Sequence, residues 1–418
     1  MRKFLLATIG FFALALTACG VDSGDDAGES YNDDVVVVQV SAAGHSNLAV
    51  KSDGTLWSWG GGFTGDGTNQ VHKQPLMIME NVRYALAGHD VSFAITHDNQ
   101  LWGWGSNWSG QIGDGTRDDR LLPVHIMDNV AYIAMPKLSN NSHVGLGVWH
   151  AYAIDTSGVL WGWGAGSGWH SPWPVALGDG YKEDRLRPVQ ILENVATVTP
   201  TRDGGYAVTR NGQHLRWGGE QLYPVPFVPA PSSYTVSLNG AYFKIDEKGG
   251  LWAWGRNRLP SHWRSSPLLG DGTTIDRDEP VLIMENITYI TASGNNAYAI
   301  DRDGGLWTWG EGLLRNPPDH LWEYALDGGF EDGVRWLAHD DAGTGVRLSP
   351  VRILENVTTV VPTYYIFDHG WVVGPRTFAI TNDGAIYAWG ANTVWAHQWS
   401  LLGDGTSQFR PHPIGLAK

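Results

Sequence analysis

The sequence predicts an all-β protein, a seven-bladed β-propeller whose blades each contain four strands. Three observations lead to this fold class: a recurring tryptophan–glycine motif, short β-prone segments separated by turn residues, and incomplete repeats at the two ends of the repeated region. Tryptophan accounts for 22 of the 418 residues, and much of it lies in the motif W-x-W-G. Seven copies of the motif, two of them weaker, end at Gly60, Gly105, Gly164, Gly218, Gly255, Gly310 and Gly390. A motif that recurs every 37 to 80 residues is a building unit rather than a single site.

One complete copy of the unit spans residues 280–310 and reads PVLIMENITYITASGNNAYAIDRDGGLWTWG. Four short apolar segments alternate with the turn sequences EN, SGNN and DRDGG, which predicts an up-and-down meander of four strands. A single four-stranded sheet cannot bury both of its faces. Copies packed around a common axis cover both faces of every sheet, and this is the arrangement of a β-propeller.

The W-x-W strand indicates how neighbouring sheets pack. Residues i and i+2 of a strand share a face, so the two tryptophans point the same way. The residue between them is small in the clear copies: Ser58, Gly103, Gly162, Ala253, Thr308 and Ala388. We expect the bulky face of one sheet to pack on the thin face of the next. An exposed stripe of tryptophans that binds sugars is the alternative.

The ends of the repeated region predict how the ring closes. The first unit begins at VVVVQVSAAGHSNLAVKSDGTLWSWG and lacks the P-V strand, whereas the chain ends with RPHPIGLAK, which is that strand alone. We therefore expect the C-terminal strand to join the first blade. A ring closed in this way leaves no unprotected sheet edge.

The pattern W-x-W-G … GDGT … P-V … NV … G-H-S … D-G resembles the regulator of chromosome condensation repeat over residues 35–418. The GDGT element begins at Gly65, Gly113, Gly270 and Gly403, with a variant at Gly178. The resemblance implies a seven-bladed propeller, in agreement with the seven copies. The fourth copy departs from the pattern because no GDGT follows its W-x-W-G position, and the sixth is degenerate at 326–333. We interpret the GDGT aspartates as caps of tight turns; calcium binding is the weaker alternative.

The N-terminal residues form no part of the predicted propeller. Residues 1–18 read as a secretory signal peptide, with Arg2 and Lys3 before an apolar run. The sequence LTAC resembles the lipobox of bacterial lipoproteins, which implies a lipid on Cys19. Residues 19–34 are acidic and read as a disordered tether, so the propeller domain is 35–418. We expect an exported protein, lipid-anchored to a bacterial membrane, with Gly20 favouring the cell surface or outer membrane over the inner membrane.

Composition excludes several functions. The formal net charge is −15 and there are no basic runs, which argues against nucleic acid as a partner. A single cysteine excludes an internal disulfide framework and a multi-cysteine zinc site. Outside the signal peptide no apolar run is long enough to span a membrane, so membrane contact would come only through the lipid anchor. We expect a monomer without cofactor, metal or assigned catalytic residue.

The insertions between strands indicate where a partner binds. In the alternating meander they fall at one end of the sheets, at 135–149, 165–177, 256–269, 311–349, 362–375 and 391–400. Variable loops on a rigid scaffold commonly carry binding function, and aromatic residues are favoured interface anchors. The predicted contacts with a partner protein or glycan are Trp149, Trp169, Trp173, Trp263, Trp322, Trp336, Tyr364, Tyr365, Trp371, Trp395 and Trp399.

The family resemblance supplies precedents for protein binding but no residue that carries over. One eukaryotic member is the exchange factor of a nuclear GTPase, and secreted bacterial propellers with a similar repeat inhibit β-lactamases. The competing hypothesis is a propeller enzyme, a lyase or hydrolase, because FDHGW at 367–371 and LAHDD at 337–341 place histidines beside carboxylates. Histidines and carboxylates converging in a dry pocket favour an enzyme, and a broad aromatic surface favours a binding protein.

Overall fold

The computed structural model describes residues 35–136, 150–166, 175–201, 203–227, 236–238, 240–257, 268–293, 296–311, 346–366, 372–390, 392, 401–406 and 410–416. These residues lie in one compact unit and form seven four-stranded antiparallel sheets. Among them, no helix is long and apolar enough to cross a membrane.

The strands follow one another in the chain as β1 Val37–Ala43, β2 Ser46–Lys51, β3 Leu56–Gly60, β4 His72–Met79, β5 Val82–Ala87, β6 Val91–Thr96, β7 Leu101–Gly105, β8 Arg120–Met127, β9 Val130–Ala134, β10 His150–Asp155, β11 Leu160–Gly164, β12 Arg185–Leu192, β13 Val195–Pro200, β14 Gly204–Thr209, β15 His214–Gly218, β16 Gln221–Pro226, β17 Val236–Leu238, β18 Ala241–Ile245, β19 Leu251–Gly255, β20 Arg277–Met284, β21 Ile287–Ser293, β22 Asn296–Asp301, β23 Leu306–Glu311, β24 Val346–Leu354, β25 Val357–Ile366, β26 Val372–Thr381, β27 Ile386–Gly390 and β28 Arg410–Gly415.

Each sheet consists of four consecutive strands in chain order, so the first sheet is β1 to β4 and the seventh is β25 to β28. The first strands of neighbouring sheets contact each other, as β1 does with β5 and β21 with β25. Second and third strands are the most buried, and fourth strands are the most exposed. The first strand of each sheet is therefore the inner one and the fourth is the outer one.

The structure corrects the predicted position within the repeat at which each sheet begins. The P-V segment is the fourth strand of its sheet and pairs with the W-x-W-G strand before it, with Met77 opposite Trp57. The C-terminal strand β28 likewise pairs with β27, with Gly415 opposite Tyr387. The prediction that the C-terminal strand joins the first blade is therefore wrong, because β4 already completes the first sheet.

The physical reason is that the E-N or D-N turn is not a hairpin. Asn81 adopts φ 63°, a left-handed conformation that asparagine tolerates better than most residues. Its carbonyl accepts a hydrogen bond from His97 N, while Val82 N donates to Gly54 O in the preceding sheet. The turn thus carries the chain from an outer strand to the inner strand of the next sheet. The equivalent residues with positive φ are Asn129, Asn194, Asn286 and Asn356.

The packing of bulky on thin faces is as predicted. Phe93 lies over Gly103, where a Cβ atom would stand 2.9 Å from the phenyl ring. The same ring packs edge-on against Trp163 of the next sheet, with centroids 5.9 Å apart. The second tryptophan of the motif is at most 1% exposed in five copies, which excludes an exposed stripe at these positions: Trp59, Trp104, Trp163, Trp309 and Trp389.

Where a sheet has a GDGT loop, the loop packs against the next sheet. At Gly113, φ is 88° and a Cβ atom would stand 2.7 Å from the Trp163 indole. Gly115 N donates to Leu186 O on the outer strand of the same neighbour at 2.8 Å. Asp114 caps the turn, as predicted, by accepting a hydrogen bond from Thr116 N at 2.9 Å. The GDGT sequence is therefore a structural connection between sheets.

Candidate functional site at the insertion end of the sheets

The two ends of the sheets differ. Since the strands are antiparallel, connections from first to second and from third to fourth strands lie at one end, which we call the insertion end. The opposite end, the turn end, carries the connections from second to third strands and between sheets. Five of the six links between consecutive sheets are two residues long, but nine residues separate β16 from β17. The expectation that insertions occur only at the insertion end is therefore wrong at 227–235.

The predicted aromatic contacts fall almost entirely outside the described residues. This applies to Trp149, Trp169, Trp173, Trp263, Trp322, Trp336, Trp371, Trp395 and Trp399. Cys19 and the histidine–carboxylate segments 337–341 and 367–371 also lie outside them.

Tyr364 and Tyr365 belong to β25, in which Tyr365 is opposite Val373. The segment 362–375 was expected to be a loop. Instead β25 and β26 extend to ten residues each and take up most of it.

A cluster of three titratable side chains joins the first and second sheets at the insertion end. His45 lies in the turn between β1 and β2, and His89 and Asp90 lie between β5 and β6. The imidazole rings of His45 and His89 meet edge-on, with centroids 5.8 Å apart. His89 Nδ1 lies 2.5 Å from Asp90 Oδ2. Burial raises the pKa of Asp90. The hydrogen bond and charge of His89, together with the charge of His45, lower it by a larger amount, so the net shift of the pKa is downward.

The two turns carrying this cluster touch through their backbones. Gly44 has φ 50°, and a Cβ atom there would stand only 2.2 Å from the carbonyl oxygen of His89. Gly61 N donates to His45 O at 2.9 Å, and Ser106 N donates to Asp90 O at 2.8 Å. Each turn is therefore fixed to its own sheet as well as to the other turn.

A buried histidine faces the fourth sheet from the third. His150, the first residue of β10, is 1% exposed, and neither ring nitrogen makes a hydrogen bond of good geometry to any residue that the structure describes. Burial lowers its pKa to about 4, opposed only in part by the nearby backbone of Gly204 and Thr201 and the carboxylate of Asp203. The ring is consequently neutral at physiological pH.

A buried arginine lies on the seventh sheet. Arg376 is 1% exposed, and among the described residues its Nε and Nη2 atoms have no hydrogen-bond partner. It shares a strand face with Phe378, which packs on Trp59 of the first sheet with centroids 5.8 Å apart. Burial lowers its pKa to about 10, so the guanidinium still carries its charge at neutral pH.

Sequence reasoning missed these residues because attention went to the long insertions. The available signal was the dipeptide G-H, which precedes the second strand in both of the first two units, at Gly44-His45 and Gly88-His89. Two imidazoles with a carboxylate can hold a transition-metal ion or exchange protons, and a buried guanidinium can hold an anion.

Consecutive four-stranded antiparallel sheets, fastened to one another by glycine-rich loops, define a repeat protein of the β-propeller class. Residues 98–154 match the family model of the Regulator of chromosome condensation (RCC1) repeat. RCC1 domain-containing protein RUG3, mitochondrial, from Arabidopsis thaliana is 26% identical over 295 residues, which cover 64% of this chain and 63% of that protein. Ultraviolet-B receptor UVR8 from the same plant is 26% identical over 288 residues, which cover 62% and 60%.

The chain thus spans about three fifths of the length of these two curated relatives. A similar solved structure is that of Prp20p from Saccharomyces cerevisiae, which is 17% identical to this chain. That match covers 91% of this chain and 77% of Prp20p, with a TM-score of 0.38.

Proposed function

We propose that the chain is an exported, lipid-anchored binding scaffold of the RCC1-repeat type, which recognises a partner protein at its insertion end. The observation that carries this proposal is the asymmetry between the two ends. Five of the six links between sheets at the turn end are two residues long, whereas most long connections leave from the insertion end. Folding alone gives no evident reason to lengthen one end.

The buried polar groups support the same end. His45, His89 and Asp90 lie in connections between first and second strands, and His150 begins a second strand. Arg376 lies within β26 and is opposite Gly390, as His150 is opposite Gly164. His150 and Arg376 are each 1% exposed, and burying such groups costs free energy, so stability alone does not account for these two. Selection for recognition does account for polar groups that are costly to the fold.

We further propose that the seven sheets close into a seven-bladed ring, by loop contacts rather than by exchange of a strand. The loop of the seventh sheet meets the first sheet as the other GDGT loops meet their neighbours. A Cβ atom on Gly403 would stand 2.7 Å from Nε1 of Trp59, and Gly405 N donates to Lys73 O at 2.9 Å. The inner strands β1 and β25 are also in contact.

The relatives support recognition in general rather than one activity. Matched proteins include an ultraviolet-B receptor and the human E3 ubiquitin-protein ligase HERC2, of which this chain covers only 6%. Since proteins with such different roles carry the repeat, the repeat itself supplies a scaffold and the connections supply specificity. A protein partner is favoured over a glycan because the insertions are rich in aromatic residues, which are enriched in protein interfaces.

Two experiments test the proposal. The full chain is crosslinked in the native cell and then isolated with its membrane. We expect it to capture one protein in stoichiometric amount, whereas capture of glycan alone would contradict a protein partner. For the anchor, Cys19→Ser is expected to abolish incorporation of labelled fatty acid and release the chain from membranes. Unchanged labelling and retention would refute lipidation at Cys19.

A further inference from the structure

We propose that His45, His89 and Asp90 bind one divalent transition-metal ion of the zinc type, which ties the first sheet to the second at the insertion end. Each residue offers one ligand atom, and the three atoms lie within 4.8 Å of one another. Within the described part of the chain this is the one group of three such residues. The inference is independent of the partner-binding function.

The donor set selects the class of ion. Calcium and magnesium take oxygen ligands almost exclusively, whereas two imidazole nitrogens and one carboxylate oxygen suit zinc and its first-row neighbours. Zinc–nitrogen bonds of about 2.0–2.1 Å place tetrahedral ligand atoms about 3.3 Å apart. The widest separation exceeds this by about 1.5 Å at most, whereas His89 Nδ1 and Asp90 Oδ2, 2.5 Å apart, would have to move apart to bind the ion. Rotation of the side chains can supply both changes without backbone movement.

The backbone holds the ligands in place on both sides. Gly44 presses against the carbonyl of His89, so the two turns cannot move apart freely. The hydrogen bonds from Gly61 N to His45 O and from Ser106 N to Asp90 O anchor each turn to its own sheet. A site whose ligands are already held close loses less conformational entropy on binding a metal.

The site is accessible from solvent. His45 is 7% exposed, but the side chains of His89 and Asp90 are 22% and 42% exposed. An ion can therefore reach the two outer ligands first and then the buried imidazole. Three protein ligands leave a fourth position for water, which is the arrangement of open zinc sites.

Other histidine–carboxylate pairs provide a matched control. His125 Nε2 lies 3.0 Å from Asp128 Oδ1, and both side chains are exposed. This pair has the same chemistry with one imidazole fewer, and it lies beside the turn that links the second and third sheets. A site that needs all three ligands should not form there.

The test uses the full chain without a histidine tag, stripped with chelator and titrated with zinc chloride by calorimetry and with Co²⁺ by visible absorption. We expect one strong site and the d–d bands of Co²⁺ bound by nitrogen and oxygen. His89→Gln and Asp90→Asn should each weaken zinc binding by at least about tenfold, whereas His125→Gln should leave it unchanged.

His45→Gln alters a buried residue, so its folding is checked by circular dichroism, and the two more exposed variants decide the result if it unfolds. No binding by the wild-type chain would overturn the proposal. Wild-type affinity in both His89→Gln and Asp90→Asn would also overturn it, because the ion would then be held elsewhere.

Discussion

Trp163 of the third sheet lies against Gly113 in the loop that leaves the second sheet, with room for a hydrogen atom but not for a methyl group. A Cβ atom on Gly113 would stand 2.7 Å from indole atoms Cδ1 and Nε1. The indole Nε1 donates to Gln111 O of the same loop at 3.0 Å. The motif W-x-W-G and the motif GDGT are therefore two halves of one contact between neighbouring sheets.

Gly113→Ala should lower the free energy of unfolding by roughly 2–5 kcal/mol. The left-handed backbone costs about 1–2 kcal/mol for a residue with a Cβ atom, and overpacking against the indole adds about 1–3 kcal/mol. The urea midpoint measures the change. Gly62→Ala is the control, because Gly62 has φ 74° but no atom within 4 Å of the added carbon. Equal losses in the two variants would show that the indole contact contributes nothing.

Gly403→Ala tests whether the seventh sheet is held to the first. Its φ of 83° matches that of Gly113 closely, and the added carbon would meet Trp59 at 2.7 Å. We expect a loss of roughly 2–5 kcal/mol, as for Gly113→Ala, because a closed ring makes the two contacts equivalent. A loss no larger than that of Gly62→Ala would mean that the ring is not held closed at this contact.

The sheets could be predicted from the sequence because their signals are local. Alternation of large and small residues within W-x-W, with turn residues on each side, defines strands without any knowledge of neighbours. The phase of the repeat could not be predicted, since a hairpin turn and a link between sheets both read as E-N. Only the hydrogen bonds of Asn81 and Val82 distinguish them.

The histidine cluster could not be predicted for a different reason. His45 and His89 belong to different sheets, and their contact depends on how the first two sheets pack. The same holds for Arg376, whose burial follows from the face of β26 that it shares with Phe378. Sequence spacing carries little information about such contacts until the register between sheets is known.

Stability should fall between pH 6.5 and pH 4 in a way that depends on His150. Its folded pKa of about 4 lies below the ordinary value of 6.5. As the pH falls below 6.5, the unfolded chain binds a proton that the folded chain does not. The free energy of unfolding therefore decreases until about pH 4. The shift corresponds to about 3 kcal/mol at most. His150→Gln should flatten this part of the pH profile, measured by urea unfolding; an identical slope in both proteins would contradict the assignment.

Arg376→Met should raise the free energy of unfolding by about 1–3 kcal/mol. The substitution removes a buried charge, two nitrogens of which have no hydrogen-bond partner in the described part of the chain. It puts in its place an apolar side chain that is flexible enough to fill the space. Thermal and urea unfolding measure the change, with Arg83→Met as control. Arg83 donates to Val130 O at 2.9 Å and to Asn99 Oδ1 at 3.1 Å, so its loss should destabilise. Destabilisation by both variants would show that Arg376 is paired in solution.

The last prediction concerns which end of the sheets binds the partner. Trp336→Ala, Trp371→Ala and Trp395→Ala change aromatic residues in connections at the insertion end, and each should weaken binding by about 1–4 kcal/mol, the usual range for an aromatic anchor. Glu285→Lys and Glu355→Lys reverse a charge in two-residue links at the turn end and serve as controls. Both glutamates stand beside an asparagine with positive φ, and neither substitution alters that backbone. Circular dichroism first shows that every variant is folded. Titration calorimetry with the captured partner then measures the affinities. Loss of the partner in the lysine variants together with full binding by the alanine variants would place recognition at the turn end.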